Sequence, residues 1–116
     1  MGQPAPIEVL DWVDSTNAEA RRRAEAGDGG PLWIGARRQS EGRGRRGRTW
    51  HTSDGDLAAT LLTVTDRPPA EAAQISFIAA LAVADLVQTW LDPETVRLKW
   101  PNDVLVSGGK ISGSLV

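Results

Sequence analysis

The chain has no cysteine and no tyrosine, one phenylalanine (Phe77), one histidine (His51) and only two lysines, Lys99 and Lys110. Without cysteine there is no disulfide, no thiolate metal site and no cysteine nucleophile. That fits a reducing, cytoplasmic setting. Nothing pairs His51 with a nucleophile. The lack of tyrosine and the single phenylalanine weigh against a single-strand nucleic-acid module, which stacks bases on aromatic rings along a basic groove. The charge balance points the same way: 13 Lys+Arg against 15 Asp+Glu give a formal net charge of -2, whereas a dedicated nucleic-acid domain is normally basic. The opening "MGQPAPIEVLDW" lacks the basic and apolar regions of a signal peptide. The longest apolar-rich segment, Ala70–Leu91, is broken by Glu71, Gln74, Asp85 and Gln88. It reads as a buried helix, too polar to span a membrane, so no membrane partner is expected.

The 116 residues suffice for one domain with one core. Alternating apolar residues predict a strand over Ile7–Val13. A helix follows, capped by Asp14 or Ser15, with Glu19 in its first turns and Gly27 at its end. Arg21–Arg23 read as a solvated helical face. Pro31–Gln39 reads as a second strand, and the apolar Leu57–Thr65 as a central, well-buried one. The main helix begins near Pro69, with Trp90 on its core side by helical spacing. Val96–Trp100 reads as a strand ended by Pro101. Asp103–Val106 and Lys110–Val116 pair across "SGG". The order predicts an α+β (α/β-type) fold, a mixed sheet with helices on one face. The apolar "ISGSLV" at the end predicts an exposed sheet edge. This suggests the front part of a larger domain, completed by a further segment, another chain or a second copy.

The charge is unevenly spread. Six of the 13 cations lie in the twelve residues 37–48, and Gly42–Arg48, "GRGRRGR", holds three glycines and four arginines. Glycines let backbone N–H groups approach an anion, and arginine offers a planar fork matched to phosphate oxygens. Fixing such a segment costs roughly 1–2 kcal/mol of backbone entropy per residue, and its like charges repel. It is therefore expected to lack regular structure, to be disordered when empty and to order on its ligand. On the bare segment three readings stand open: a phosphate ligand, a nucleic acid, or a solvated basic loop. No "GK[ST]" follows, and no GxGxxG opens a helix, so neither nucleotide motif applies.

Elsewhere, "LKWPNDVLV" places Lys99 near a strand end, where ligands dock on α/β sheets and a fixed ammonium meets a carboxylate or phosphate. Asn102 and Asp103 after the proline can also simply shape a turn. Ser15, Thr16 and Asn17 of "DSTN" can cap the helix or present polar groups to a ligand. Gln39 closes its strand and is unremarkable alone.

In this order and spacing, "DSTN", "GRGRRGRTW", "LKWPNDVLV" and "GGKISGSLV" resemble the biotin protein ligases. The resemblance runs from about Ile7 and reaches the front part of that family's catalytic domain, a class II synthetase-like fold shared with lipoate ligases. It covers neither the later catalytic strands, nor the small C-terminal barrel, nor an N-terminal DNA-binding domain, so no DNA partner is expected. It implies two-step chemistry: biotin and ATP give biotinyl-5′-AMP, and a lysine of a biotin carrier protein or domain takes the biotin. Ser15, Thr16 and Asn17 would hold the biotin head and Gln39 would line its pocket. Arg43, Gly44 and Arg45 would close over the acyl-adenylate. Lys99 would meet the carboxylate and α-phosphate as charge develops. Trp50 and Asn102 would stand on the nucleotide side, and Arg46 and Arg48 would set loop structure and charge. Mg²⁺ is implied with ATP, with no ligand assigned to it. The family's usual "GILVE" is replaced by "GSLV", which puts Ser114 at an apolar position. A lipoate or octanoate ligase or transferase is the alternative within the fold, and the intact "GRGRRGR" favours biotin over it. An RNA-binding module is the alternative of another class.

Overall fold

A computed structural model describes residues 4–116. The chain divides into two compact units, one running to Thr65 and one from Asp66 to Val116. The α+β reading holds, with the strands shared between two three-stranded sheets.

In the first unit, β1 (Ile7–Leu10) runs parallel to β2 (Leu32–Ala36), and β3 (Ala58–Leu62) runs antiparallel to β2. Parallel neighbours need a crossover, and α1 (Thr16–Glu25) supplies it. Its start is written locally: Ser15 is extended, and its Oγ accepts from the Ala18 N–H at 3.0 Å. Its end is a glycine cap. Gly27 has φ 99°, and the Asp28 N–H reaches back to the Arg23 carbonyl at 3.0 Å. The buried face of the unit is small-residue rich: Ile34 is fully buried, with Ala20, Ala36 and Ala58 around it. The expectation that β3 is central fails. β2 is the central strand, and β3 pairs with it alone among the described strands.

Arg22 and Arg23 also depart from expectation. Arg22 forks onto Asp14 at 2.9 and 2.7 Å and also reaches Glu19. Arg23 forks onto Glu8 of β1 at 2.9 and 2.8 Å and reaches Glu19 at 2.7 Å. Acids on β1, at the cap and in the first turn of α1 draw both side chains out of free solvation. The Arg22 hydrogen bonds, seconded by the Ser15 N–H, hold the Asp14 carboxyl down at about 2. Glu8 and Glu19 are lowered by the same kind of contact.

In the second unit the expected single helix is two. Pro69 opens a short α2 (Pro69–Ala72), and α3 (Ile75–Val87) follows. β4 (Val96–Lys99), β5 (Asp103–Val106) and β6 (Gly109–Gly113) form an antiparallel sheet. The β5–β6 turn is made by Ser107 and Gly108, both at positive φ (50° and 84°), as a tight two-residue hairpin requires. Ala80 and Ala84 bring α3 close enough to bury Val96 and Val104. Trp90, expected in the core, is 75% exposed. It lies beyond the end of α3, where helical spacing no longer aims it at the sheet. The stretch Pro69–Val87 spans 19 residues with mean hydropathy 1.6, long and apolar enough by length and composition to cross a membrane. This departs from the expectation, because Glu71, Gln74 and Asp85 fall near its ends and leave Ile75–Ala84 without a charge.

Candidate functional site

The polar residues of "DSTN" gather with Gln39 in the first unit. After β1 the chain continues beside the segment that follows β2. Val13 and Gln39 form a parallel bridge, the Ser40 N–H meets the Val13 carbonyl at 3.0 Å, and the Glu41 N–H meets the Asp14 carbonyl at 2.7 Å. That pairing sets Gln39 against the start of α1. The Thr16 N–H donates to Gln39 Oε1 at 2.8 Å, and Thr16 Oγ1 lies 3.3 Å from the same oxygen. Thr16 is 4% exposed and Ser15 9%, so these polar groups are satisfied inside the fold. Two partners were not singled out in the sequence. Thr52 Oγ1 accepts from Gln39 Nε2 at 3.0 Å, and Thr60 of β3 touches both Thr16 Oγ1 and Asn17 Oδ1. Both read as ordinary threonines, one in a loop and one in a strand. Only the pairing of β3 with β2 brings Thr60 under the start of α1. The signal was its place in the alternation Ala58, Thr60, Leu62, where a hydroxyl falls on the buried face.

The Gly/Arg segment has more structure than its composition predicts. Arg43 and Thr49 form an antiparallel bridge, and the Trp50 N–H donates to the Gly42 carbonyl at 2.8 Å. The Gly44 N–H donates to the Arg48 carbonyl at 2.6 Å. A single 3-10 turn, Arg45–Gly47, closes this small hairpin with Arg46 and Gly47 at φ 59° and 71°. Gly42 is required at the root: a Cβ there would lie 2.4 Å from the Trp50 carbonyl oxygen and 3.1 Å from Gln39 Nε2. The hairpin therefore springs from the polar cluster. Arg43, Arg45, Arg46 and Arg48 are all exposed. Among the described residues none of them makes an ion pair, whereas nearby Arg38 meets Asp54 at 3.0 Å and Arg37 meets Asp11 at 3.2 Å.

In the second unit the two lysines of the chain are set about one carboxylate. Lys99 and Asp103 are directly paired across β4 and β5, and therefore share a face of the sheet. Lys110 Nζ lies 3.0 Å from Asp103 Oδ1, and the neighbouring position on β6 is Gly113, whose bare backbone leaves room for that ammonium. The buried Val96 and Val104 belong to the opposite, α3-facing side. Lys110, unassigned from the sequence beyond its rarity, thus lies on the same carboxylate as Lys99, and among the described residues its ammonium is the one of the two with an ion-pair partner. Asn102, expected on the nucleotide side or as a turn-shaping residue, is tied into the turn after β4. It is 6% exposed, its Nδ2 donates to the Ser114 carbonyl, and its own carbonyl accepts from the Ser114 N–H at 3.2 Å. Its amide holds the turn after β4 to the strand after β6. An apolar cavity of about 210 Å³ lies beside this turn, lined by Phe77, Leu81, Leu98, Trp100 and Pro101 among others. The Phe77 and Trp100 rings that help line it stack on each other, with centroids 4.3 Å apart. Among the described residues no three His, Asp or Glu side chains gather to hold a metal.

Residues 9–116 match the model of the biotin/lipoate A/B protein ligase family. A biotin–[acetyl-CoA-carboxylase] ligase of Paracoccus denitrificans is 47% identical over 109 residues, covering 93% of this chain and 45% of the relative. A biotin protein ligase from Leishmania major in complex with biotinyl-5-AMP superimposes with a TM-score of 0.76 at 29% identity, covering 97% of this chain and 52% of the other. One from Aquifex aeolicus in complex with biotin and ATP gives a TM-score of 0.72 at 32% identity, covering 95% and 45%. The chain thus spans about half the length of the relatives it matches. With a family match over nearly all its residues, the chain belongs to the biotin/lipoate A/B protein ligase family.

Proposed function

We propose that this chain carries the biotin-recognising, adenylate-closing part of an ATP-dependent biotin ligase. The observation that carries the reading is the continuity, in one unit, of the Ser15–Thr16–Asn17–Gln39 cluster with the arginine hairpin rooted at Gly42. A polar cradle for a head group stands beside guanidinium forks that have no acidic partner among the described residues. That suits a ligand polar at one end and phosphorylated at the other. The relatives solved with biotinyl-5-AMP and with biotin and ATP are of this kind.

In this reading a biotin carboxylate oxygen attacks the α-phosphorus of ATP, the bond to the β-phosphate oxygen breaks, and pyrophosphate leaves with the electron pair. A lysine amine of a biotin carboxyl carrier protein then attacks the acyl carbon, an amide forms, the amine proton is lost and AMP departs. The chain needs no nucleophile of its own; positioning and charge stabilisation do the work. Ser15, Thr16, Asn17 and Gln39 hold the head. Arg43, Gly44 and Arg45 meet the phosphate, with Trp50 as a wall of the nucleotide side. Lys99 meets the developing charge at the carboxylate and α-phosphate. Lys110 joins it, because Asp103 fixes its ammonium. ATP ordinarily brings Mg²⁺; the described side chains provide no ligand cluster for it, so no step is assigned to the ion.

Pyrophosphate release on mixing the protein with biotin and ATP tests the reading, with lipoate and octanoate in place of biotin as the family's other substrate class and a short RNA as a competitor. Release specific to biotin is expected, and separate Lys99→Ala and Lys110→Ala variants should each lower it. Release with lipoate alone, tight RNA binding, or full release by both lysine variants would overturn it.

A further inference from the structure

Thr60 is a hydroxyl on the buried face of β3. It sits opposite the fully buried Ile34, between Ala58 and Leu62 on the same face. Its Oγ1 lies 2.8 Å from Thr16 Oγ1 and 2.5 Å from Asn17 Oδ1. A hydroxyl has one proton to give and two lone pairs to receive. Both contacts are made only if one runs in and the other runs out. The amide oxygen of Asn17 only accepts, so the Thr60 proton goes to Asn17. A hydroxyl–hydroxyl contact has no direction of its own, so the Thr16 proton goes to Thr60. The arrangement agrees with the other end of the cluster. The Thr16 backbone N–H already serves Gln39 Oε1 at 2.8 Å, and the weaker 3.3 Å contact from Thr16 Oγ1 is not needed. Gln39 Nε2 in turn serves Thr52.

The chain of bonds therefore has a polarity: Thr16 to Thr60 to Asn17. Its consequence falls on Asn17. With Oδ1 committed to Thr60, the Asn17 amide keeps both Nδ2 protons, which meet no described residue. Gln39 keeps one N–H beyond the bond to Thr52, and the Ser15 hydroxyl, whose oxygen already accepts from the Ala18 N–H, keeps its proton. The head of the cradle is set to donate.

We propose that Thr60 is a positioning residue whose hydroxyl fixes the Asn17 amide with its donors available, and so tunes the cradle to a ligand head bearing a hydrogen-bond-accepting oxygen, such as a cyclic urea carbonyl, over a head without one. This rests on the biotin reading and deepens it. The same cradle with the amide reversed would present an acceptor instead.

Thr60→Val keeps the shape and removes the relay, and Thr60→Ser restores it. Two measurements test the proposal on the intact chain. In ligand-free protein, the Asn17 side-chain amide resonances should shift and its χ1 average in Thr60→Val, and return in Thr60→Ser. Titration calorimetry with biotin and with desthiobiotin, which retains the urea, should show about fivefold weaker binding to Thr60→Val, the effect of one net hydrogen bond, with recovery in Thr60→Ser. Binding by Thr60→Val within twofold of wild type overturns the proposal. So do unchanged Asn17 signals, and a lowered melting temperature with unchanged Asn17 signals would mark Thr60 as framework only. Failure of the wild-type chain to bind biotin refutes the functional reading instead, and the Asn17 resonances still decide what Thr60 does.

Discussion

Arg22 and Arg23 of α1 and Arg43, Arg45, Arg46 and Arg48 of the hairpin lie in one unit and carry the same charged fork, yet their surroundings are opposite. Those on α1 are matched to acids: Arg22 to Asp14 and Glu19, Arg23 to Glu8 and Glu19. Those on the hairpin have no ion-pair partner among the described residues. The contrast separates two uses of arginine. One set ties a helix to its neighbouring strand. The other keeps its donors for a ligand and accepts the repulsion between like charges while that ligand is away. Glycine content marks the difference in the sequence, because a helix resists glycine and a backbone that must approach an anion requires it.

Reciprocal substitution is the severest way to break this comparison. Arg45→Gly should release the acyl-adenylate about 10–100-fold faster, the loss expected from one or two charge-assisted hydrogen bonds, and labelling should become less selective. Its melting temperature should stay near wild type, since no ion pair is lost. Arg23→Ala should do the reverse: a melting temperature a few degrees lower, with adenylate release unchanged. Stopped-flow release of a fluorescent adenylate and thermal scans of both variants check this. Adenylate held as tightly by Arg45→Gly as by wild type would remove the distinction.

A gentler perturbation is acid. The folded Asp14 carboxyl, held at about 2 chiefly by Arg22, lies below its ordinary value of 3.8. Its contribution is therefore complete above about pH 4 and is lost as pH falls towards 2, when Asp14 takes up its proton and releases Arg22. Glu8 and Glu19, lowered from 4.5 by Arg23 and by Arg22 respectively, add in the same direction. Denaturant midpoints measured from pH 5.5 down to 2.5 should fall more steeply for wild type than for Asp14→Asn, and the two curves should converge at the acid end. Parallel curves would mean that the Arg22–Asp14 fork contributes nothing. The hairpin arginines should play no part in this window, because no carboxylate among the described residues is paired with them.

Much of this was legible in the sequence where the cause is local. The Ser15 cap, the Gly27 stop, the Pro69 start and the turn before Gly109 each follow from the residue that stands there. The clustering of Ser15, Thr16 and Asn17 with Gln39 was legible only through the family resemblance, because Gln39 stands 22 positions after Asn17 and composition says nothing of their meeting. What stayed hidden depends on pairing. Thr60 and Thr52 are ordinary β-branched residues until β3 is laid beside β2. The Asn102 amide could be foreseen as shaping a turn, but its tie to Ser114 shows only once β5 and β6 are paired. Lys110 reads as one of two rare lysines until the β5–β6 hairpin folds it onto Asp103. Trp90 fits a helical stripe, but the helix stops at Val87 before the stripe reaches it. The hairpin in the Gly/Arg segment was missed because glycine's cost in regular structure was weighed without the pairing of Arg43 with Thr49.

The smallest expected effect sharpens the comparison inside the hairpin itself. Arg46 sits at φ 59° and ψ 31°, the left-handed region that L residues occupy at a cost and glycine occupies freely. Its backbone thus prefers glycine, while Arg45 next to it is the residue assigned to the phosphate. Arg46→Gly should relieve that local cost, offset in part by the greater freedom glycine gains in the unfolded chain, for a net stabilisation of at most about 1 kcal/mol. Adenylate release should remain within about twofold of wild type, the change expected when one exposed charge near the ligand is lost. The two neighbouring arginines, substituted by the same residue, would then differ by an order of magnitude in ligand retention. Equal release from Arg45→Gly and Arg46→Gly would show instead that the hairpin acts through its total charge, with no guanidinium singled out by the fold.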